Sequence, residues 1–404
     1  ALKPLDFYNN FMSMNADNIT EAELEMRQAA YYEVEIDTQS LYLQADFETE
    51  VAGLPFWGNL GVRYVQSDAD TTGNAIVQVQ VDDPEGTPDP DGTIPNIIDP
   101  NHPEAFNDVT TLSHDYSEVL PSINMNFGLI EDELILYVGA AKVMAHPKAK
   151  DLNIAASCML RLDTESANQG KSSTCRAGNP TLEPYVANQL DIALNWYVNE
   201  DTMLAAAYFT KEMDSWTIDR VTQYDVDFFG DGNLYDVDQK INGSGAKTEG
   251  VELQASTFFS MLPAPFNNMG VNANYTYMDS EEVGLFNQLT HEELDFPSQS
   301  KHSYNVSWFY ETNALSLKLA YNYRDSYLFR PSDRGGNPVY VDDAGFLDAK
   351  LVYRPQSGLF ENFKFHIDAR NLLEEGNIYQ NGPGRISEIR YSGREFALGF
   401  TYKM

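Results

Sequence analysis

Hydrophobic and polar residues alternate along most of the chain, in runs long enough to cross a lipid bilayer as a tilted β-strand. At the end of the chain, Phe396, Leu398 and Phe400 are separated by the small residues Ala397 and Gly399. Successive side chains of a strand point to opposite faces, so this period of two predicts strands with one apolar face and one small or polar face. A half-buried strand of a soluble sheet has the same period. Only recurrence of the pattern along the chain distinguishes a membrane-spanning strand from such a soluble strand.

The pattern recurs often enough to predict thirteen strands, joined alternately by short turns and long loops. The predicted strands lie near residues 35–50, 56–68, 116–129, 133–145, 185–198, 202–218, 246–260, 269–280, 301–311, 314–326, 340–354, 361–372 and 391–404. An outer-membrane barrel has short periplasmic turns, long outer loops and aromatic girdles at the membrane interfaces. Trp57, Trp196 and Trp308 all lie at short-turn ends of predicted strands. These features predict an all-β fold, an antiparallel up-and-down transmembrane β-barrel.

The predicted strand number is odd, whereas bacterial single-chain barrels have an even number, with both termini in the periplasm. The last strand then runs towards the periplasm, and so does the first. Residues 1–33 are therefore expected to be an extracellular loop, with a short helix at Ile19–Ala30 capped by Asn18 or Thr20. Residues 34–404 are expected to be the C-terminal part of a barrel of about 22 strands, the class whose lumen is plugged. The plug domain is expected to lie outside this chain.

Composition narrows the class of protein further. The chain has 404 residues, of which 43% are hydrophobic, and contains no apolar run long enough for a transmembrane helix. Its net charge of −35 argues against nucleic acid as a partner. The acidic residues are concentrated in the predicted long loops. These residues either bind divalent cations at the surface or reflect adaptation to a salty habitat. The sequence leaves both interpretations open.

Ten segments, taken in order, carry a family resemblance. Four of them are LPFWGNLGVRYVQSD (Leu54–Asp68), YSEVLPSINMNF (Tyr116–Phe127), AGNPTLEPYVANQLDIALNWY (Ala177–Tyr197) and SKHSYNVSWFYE (Ser300–Glu311). They resemble the C-terminal barrel region of TonB-dependent outer-membrane receptors, in the branch of Gram-negative proteobacteria that scavenge polymers and oligosaccharides. The resemblance covers almost all of residues 34–404. The sequence departs from the family pattern at Met404, where an aromatic residue is usual, and the plug and energy-coupling box are not in this chain.

The resemblance implies energy-dependent import across the cell outer membrane. The implied partners are outer-membrane lipid and lipopolysaccharide, the remainder of the barrel and plug, a small-molecule nutrient, and the TonB complex through the N-terminal region missing from this chain. Serine and histidine residues are scattered, with no nucleophile, base and acid at a spacing typical of an active site. We therefore expect no enzymatic activity. Two other classes stay open, an outer-membrane barrel enzyme and a secreted all-β binding module such as a lectin.

The loops are rich in Tyr, Phe, Asn and Asp and poor in Arg. Aromatic rings and amides suit an oligosaccharide, whereas an anionic ferric siderophore prefers a basic pocket. An oligosaccharide is therefore the expected ligand and a ferric siderophore the alternative. The candidate ligand-binding residues are the loop aromatics Trp216, Tyr224, Phe228, Phe229, Tyr235, Tyr327 and Phe329. The alternative is that these rings pack the loops against one another.

Two cysteines, Cys158 and Cys175, lie in one predicted loop. In an exported protein this spacing predicts a disulfide bond within the loop, the alternative being two free thiols.

A second loop segment, Asp225–Asp238, has the composition of a calcium-binding loop. Its candidate ligands are Asp225, Asp227, Asp231, Asn233, Asp236 and Asp238. Calcium takes several oxygen ligands, and Gly230 and Gly232 permit the tight turns that would bring these oxygens together. The segment lacks the Glu at the last position of an EF-hand loop. The alternative is an acidic, solvated loop without an ion.

Overall fold

The computed structural model describes residues 31–88, 93–162, 171–243, 245–281, 284–287, 289–333, 335–382 and 384–403. The helix predicted at Ile19–Ala30, and most of the loop predicted for residues 1–33, lie outside this part of the chain. The described residues form strands and two 3₁₀ turns, Ala149–Asp151 and Phe266–Asn268. Within them, no helix has both the length and the apolar character needed to span a membrane.

Twenty-one strands are described, and thirteen of them form the barrel wall. In chain order they are β1 (Tyr32–Val51), β2 (Leu54–Asp82), β3 (Asn96–Ile98), β4 (Phe106–Ile130), β5 (Leu134–Ala145), β6 (Ala156–Arg161), β7 (Ser173–Ala177), β8 (Tyr185–Asn199), β9 (Thr202–Val226), β10 (Tyr235–Gly243), β11 (Ala246–Phe258), β12 (Met269–Glu281), β13 (His302–Glu311), β14 (Leu315–Arg324), β15 (Tyr327–Arg330), β16 (Val339–Val341), β17 (Ala344–Tyr353), β18 (Phe363–Arg370), β19 (Gly376–Asn381), β20 (Ile386–Tyr391) and β21 (Glu395–Tyr402).

The wall is a single antiparallel meander in the order β1–β2–β4–β5–β8–β9–β11–β12–β13–β14–β17–β18–β21. Each wall strand pairs with its neighbours along the chain, which confirms the predicted up-and-down barrel. Short connections alternate with long ones, and the long connections contain the other eight strands.

The two faces of the wall differ in chemistry. On one face, large apolar side chains are open to the surroundings: Leu398 is 78% exposed and Leu43 is 73% exposed. Such a continuous apolar surface suits contact with lipid, because soluble monomers rarely expose one of this size. The opposite face is polar, and there Lys350 and Asp368 of neighbouring strands form an ion pair at 2.8 Å. The polar face therefore lines the lumen.

Three differences from the predicted strands have local causes. β2 ends at Asp82 instead of near residue 68, because its outer half continues to pair with β4. β1 begins at Tyr32, inside the predicted loop. The run predicted at 391–404 is two elements: Tyr391 ends β20, and Gly393, with a φ of 68°, turns the chain before β21 begins.

β1 and β21 are the two ends of the meander. Among the described residues, β1 pairs with β2 alone and β21 with β18 alone, and the two end strands share no pairing. The described part of the wall is therefore an open sheet with one unpaired edge at each end. That further strands complete the barrel stays a prediction.

The loop strands form two further units. β6 pairs in parallel with the outer part of β2, β7 pairs with β6, and β10 joins β7 to the outer part of β9. We call β6, β7 and β10 the loop bridge, because they connect two wall strands that are not neighbours. The second unit is a four-stranded sheet in the order β15–β16–β19–β20.

Candidate functional site

The loop bridge lies on the lumen side of the wall. Leu152 and Leu182, on either side of the β6–β7 hairpin in the chain, are fully buried in a cluster with Ala69 of β2. Ala69 belongs to the same row of alternating positions in β2 as Gly61 and Arg63, which is the row that faces the lumen. The connection from β5 to β8 therefore folds inwards and places the bridge at the mouth of the barrel.

The predicted disulfide is confirmed. Cys158 of β6 and Cys175 of β7 lie directly opposite each other and are bonded, with their Cα atoms 4.0 Å apart. Both are buried in an apolar core between the bridge and the wall, together with Val77 of β2 and Val237 of β10. The disulfide therefore ties the two central strands of the bridge together beside this core.

Three of the candidate ligand-binding rings belong to the same core. The ring of Phe229 lies 5.0 Å from that of Phe228, 5.8 Å from Tyr235 and 5.1 Å from Phe106 of β4, measured between centroids. Tyr235 is 1% exposed, and burial raises the pKa of its hydroxyl to about 12. This packing corresponds to the alternative that the sequence left open, in which the rings hold the loops together.

Two other candidate rings also make contacts within the protein. Trp216 is 4% exposed and packs against Phe296, with ring centroids 4.8 Å apart. Tyr327 lies under the guanidinium of Arg324, which is 3.8 Å from the ring centroid. A ligand-binding role for Trp216 and Tyr327 stays a prediction.

The last two candidate rings are accessible. Phe329 is 37% exposed and meets Tyr379 edge to face at 5.4 Å. Tyr224 is 69% exposed and lines an apolar groove of about 440 Å³ together with Leu285 and Phe286. A ligand-binding role for Tyr224 and Phe329 stays a prediction.

The acidic segment Asp225–Asp238 uses its carboxylates to form turns. Both carboxylate oxygens of Asp227 accept a hydrogen bond from the backbone nitrogen of Gly232 at 3.3 Å, and Asp231 accepts one from that of Asn233 at 2.9 Å. Throughout the described residues, no three His, Cys, Asp or Glu side chains come together as metal ligands. The geometry gives the calcium site no support, and calcium binding here stays a prediction.

A cavity of about 960 Å³ is a groove formed by β2, the start of β4, and the β6–β7 hairpin. Its lining includes the amide side chains of Gln78, Asn107 and Asn153 and the rings of Tyr32 and Phe106. Amides offer both hydrogen-bond donors and acceptors, and rings offer flat apolar faces. We call this cavity the amide groove.

A smaller cavity of about 190 Å³ adjoins the amide groove, with which it shares Asn153, Arg176, Ala177 and Gly178. The described residues of its lining are Lys150, Asp151, Asn153, Arg176, Ala177, Gly178, Asp238, Gln239 and Lys240. Three cationic side chains and two carboxylates thus line one pocket, in a chain with 26 Lys and Arg against 61 Asp and Glu. We call it the basic pocket.

The basic pocket was not predicted from the sequence, although the sequence carries a signal for it. The loop at residues 145–184 contains five Lys or Arg and four Asp or Glu, whereas the loop at 68–115 contains eleven Asp or Glu and no Lys or Arg. Averaging over all loops hides this contrast. A count of charge for each loop separately would have found it.

Comparison with known proteins gives a family match. The family model described as TonB dependent receptor-like, beta-barrel matches residues 3–372. No curated protein matches the chain significantly.

Among solved structures, the chain is similar to the ferric-catecholate import receptor of E. coli K12, with 16% identity and a TM-score of 0.58, covering 91% of this chain and 45% of the receptor. It is also similar to the ferric yersiniabactin uptake receptor of Yersinia pestis, with 16% identity, a TM-score of 0.53, and coverage of 91% and 46%. A ferric enterobactin receptor mutant of Pseudomonas aeruginosa gives 15% identity, a TM-score of 0.51, and coverage of 91% and 54%. At this identity the likeness concerns the fold alone, and the chain spans about half the length of each of these structures.

Proposed function

The chain belongs to the TonB-dependent receptor family, and from this we propose that it forms the C-terminal part of an outer-membrane receptor that takes up an oligosaccharide. The exposed apolar face of the wall places the chain in the outer membrane as part of a β-barrel. The proposed role is transport and not catalysis, because the family consists of receptors and transporters.

The amide groove is the observation that supports an oligosaccharide. Gln78, Asn107 and Asn153 can donate hydrogen bonds to sugar hydroxyls and accept them, while Tyr32 and Phe106 can pack on sugar rings. Arg176 is the single charged residue among the described residues of its lining, at the end where the groove meets the basic pocket. A long, largely uncharged groove at the mouth of a barrel suits a chain of sugar units.

The proposal requires parts of the receptor that the described residues do not contain. The unpaired edges of β1 and β21 are where the remaining strands would join. A plug domain would occupy the polar lumen, and the TonB complex would supply energy through it. In this arrangement the loop bridge presents the ligand to the plug.

The proposal is tested by uptake of labelled oligosaccharides into cells that carry the intact receptor, with and without a functional TonB complex. We expect uptake that requires TonB and that falls roughly threefold to tenfold in Gln78→Ala, which removes one side chain's hydrogen bonds from the groove. Gln66→Ala is the matched control, because Gln66 is an exposed residue of the same strand outside the groove. Uptake that persists without TonB, or that Gln66→Ala lowers as much as Gln78→Ala does, contradicts the proposal.

The same cells distinguish the alternative ligand class. Growth that depends on this receptor only under iron limitation with a ferric siderophore, and never on an oligosaccharide, would show that the receptor is a siderophore receptor.

A further inference from the structure

We infer that the basic pocket binds a carboxylate group of the transported molecule, so that the receptor selects an anionic ligand. This inference rests on the proposed function, because it assumes that a ligand occupies the adjoining amide groove. The inference specifies that this ligand is negatively charged. The overall composition of the loops does not predict that property.

The register of the loop bridge directs Arg176 away from the buried core. Cys158 pairs with Cys175 across β6 and β7, and the next pair is Ser157 with Arg176. Because neighbouring residues of a strand point to opposite faces, Arg176 lies on the face opposite the disulfide. The core fills the space between the bridge and the wall, so the face that carries Arg176 points away from that core.

Arg176 and Lys150 are the cations available to a ligand. Neither side chain forms an ion pair or a hydrogen bond with another residue in the described part of the chain. Lys240, by contrast, forms an ion pair with Asp151 at 3.0 Å. Asp238, the residue beside Arg176 in the pairing of β10 with β7, is the second carboxylate of the lining. Three cations against two carboxylates leave the pocket with a net positive charge in a protein whose net charge is −35, so the pocket can attract an anion.

Hydrogen bonds hold together the backbone segments that carry the two cations. The nitrogen of Gly178, two residues after Arg176, donates a hydrogen bond to the carbonyl oxygen of Ala155 at 3.2 Å. The side-chain nitrogen of Asn153 donates one to the carbonyl oxygen of Lys150 at 2.8 Å. A β-carbon at Gly178 would overlap Asn153, so the two segments approach as closely as glycine allows. The pocket is thus preformed, which lowers the entropic cost of binding.

Size and shape favour a single anionic substituent. The basic pocket has about 190 Å³ and shares four lining residues with the amide groove of about 960 Å³. The groove can therefore hold the body of the ligand while the pocket holds one charged group. The planar guanidinium of Arg176 matches a carboxylate in a two-hydrogen-bond geometry, with the Lys150 ammonium as a second charge.

The test uses two probes that differ only in charge, a uronic-acid oligosaccharide and its methyl ester of the same length. Binding of each probe to the purified intact receptor is measured at equilibrium. We expect the acid to bind more tightly than the ester and its advantage to shrink with added salt. Arg176→Gln combined with Lys150→Gln should weaken acid binding about tenfold or more, and should weaken ester binding by a clearly smaller factor because Arg176 also lines the groove.

Two control variants distinguish a specific effect of the pocket on binding from a general effect of surface charge and from misfolding. Lys148→Gln removes the same charge from an exposed position of the same loop outside the pocket, and it should change neither affinity. Arg176→Lys keeps the charge but loses the planar fork, and its affinity for the acid should be intermediate. Ester binding that Lys148→Gln leaves unchanged, and that the other variants largely retain, shows that the groove is folded.

Equal affinity for acid and ester, or an equal effect of Lys148→Gln, would overturn the inference while leaving oligosaccharide uptake intact. If neither probe binds but a ferric chelate that carries free carboxylates does, the proposed oligosaccharide function fails. Anion recognition by the pocket then stands only if the Arg176 and Lys150 variants weaken binding of that chelate, and it is overturned if they do not.

Discussion

Asp333 closes the turn between β15 and β16 with its carboxylate. One oxygen accepts hydrogen bonds from the backbone nitrogens of Gly335 at 2.8 Å and Asn337 at 2.9 Å, and the other accepts one from the side chain of Asn381 at 2.6 Å. The hydrogen bond from the Asn337 backbone contributes most to holding the pKa of this carboxyl below its ordinary value of 3.8. Asp333 therefore links the turn to β19 through its charged form.

We expect this turn to open in acid. A group with a lowered folded pKa contributes stability that is present above its ordinary pKa of 3.8 and is lost as the pH falls through the lower, folded value. Amide hydrogen exchange at Gly335 and Asn337 should therefore lose protection below that pH. Asp333→Asn should show the reduced protection at every pH. Glu361→Gln changes a carboxylate that forms no hydrogen bond with a described residue and should have no effect at the turn, so an equal effect there would contradict the prediction.

At the level of single residues, the sequence indicates chemistry better than it indicates position. It identifies Trp216, Phe229 and Tyr235 as loop aromatics, but whether a ring faces a ligand or a core depends on which loop strands pair. The parallel pairing of β10 with β7 joins segments that are far apart in the chain, and no local pattern encodes it. Arg176 was not predicted for a related reason. It becomes a candidate binding residue only through the other residues of the basic pocket, some of which are distant in the chain.

Among the elements, the β6–β7 hairpin is the one whose stability depends on a covalent bond. In the chain-entropy model, a disulfide closing a loop of this size stabilises the folded state by about 3 kcal/mol. We expect Cys158→Ala with Cys175→Ala to increase limited proteolysis within this hairpin and to leave the heat resistance of the barrel wall in detergent unchanged. The wild-type receptor in a reducing agent should behave in the same way. Loss of the whole barrel in either case would contradict a local role for the bond.

The wall strands were predictable because lipid imposes the same demand on each of them. A strand such as β12 must present apolar residues to the bilayer at every second position, and its predicted range of 269–280 is almost that of Met269–Glu281. The outer half of β2 is not under that demand. Val77 and Val79 alternate with Gln78 and Gln80 in the same period, but they face the bridge core and not lipid. Period alone does not distinguish these two environments.

At the scale of the whole molecule, the two end strands should lie apart in the assembled receptor. We expect Ala45→Cys with Leu398→Cys, one substitution in β1 and one in β21, to form no disulfide on oxidation, because other strands would separate them. The control is Ala45→Cys with Leu60→Cys, since these two residues face each other across β1 and β2 and should be linked readily. A bond between β1 and β21 would mean that this chain closes a barrel by itself.

The class of the molecule and the order of its wall followed from the sequence, because each wall strand pairs with the next one along the chain and needs no long-range information. The arrangement at the mouth did not follow, because it depends on contacts between separate loops. Ala69 of β2 is buried by Leu152 and Leu182, which belong to the connection between β5 and β8. Two wall strands, β4 and β5, separate β2 from this connection along the chain, and no periodicity of β2 shows that the contact exists.

The sharing of β2 and β9 between the wall and the loop bridge has a mechanical consequence. Because each of these strands passes without a break from the membrane into the mouth, the bridge has no hinge along which it could swing as a lid. The four-stranded sheet β15–β16–β19–β20, in contrast, contains no wall strand and is connected to the wall through turns. Any closing movement over a bound molecule should therefore come from that sheet, while the bridge stays in place.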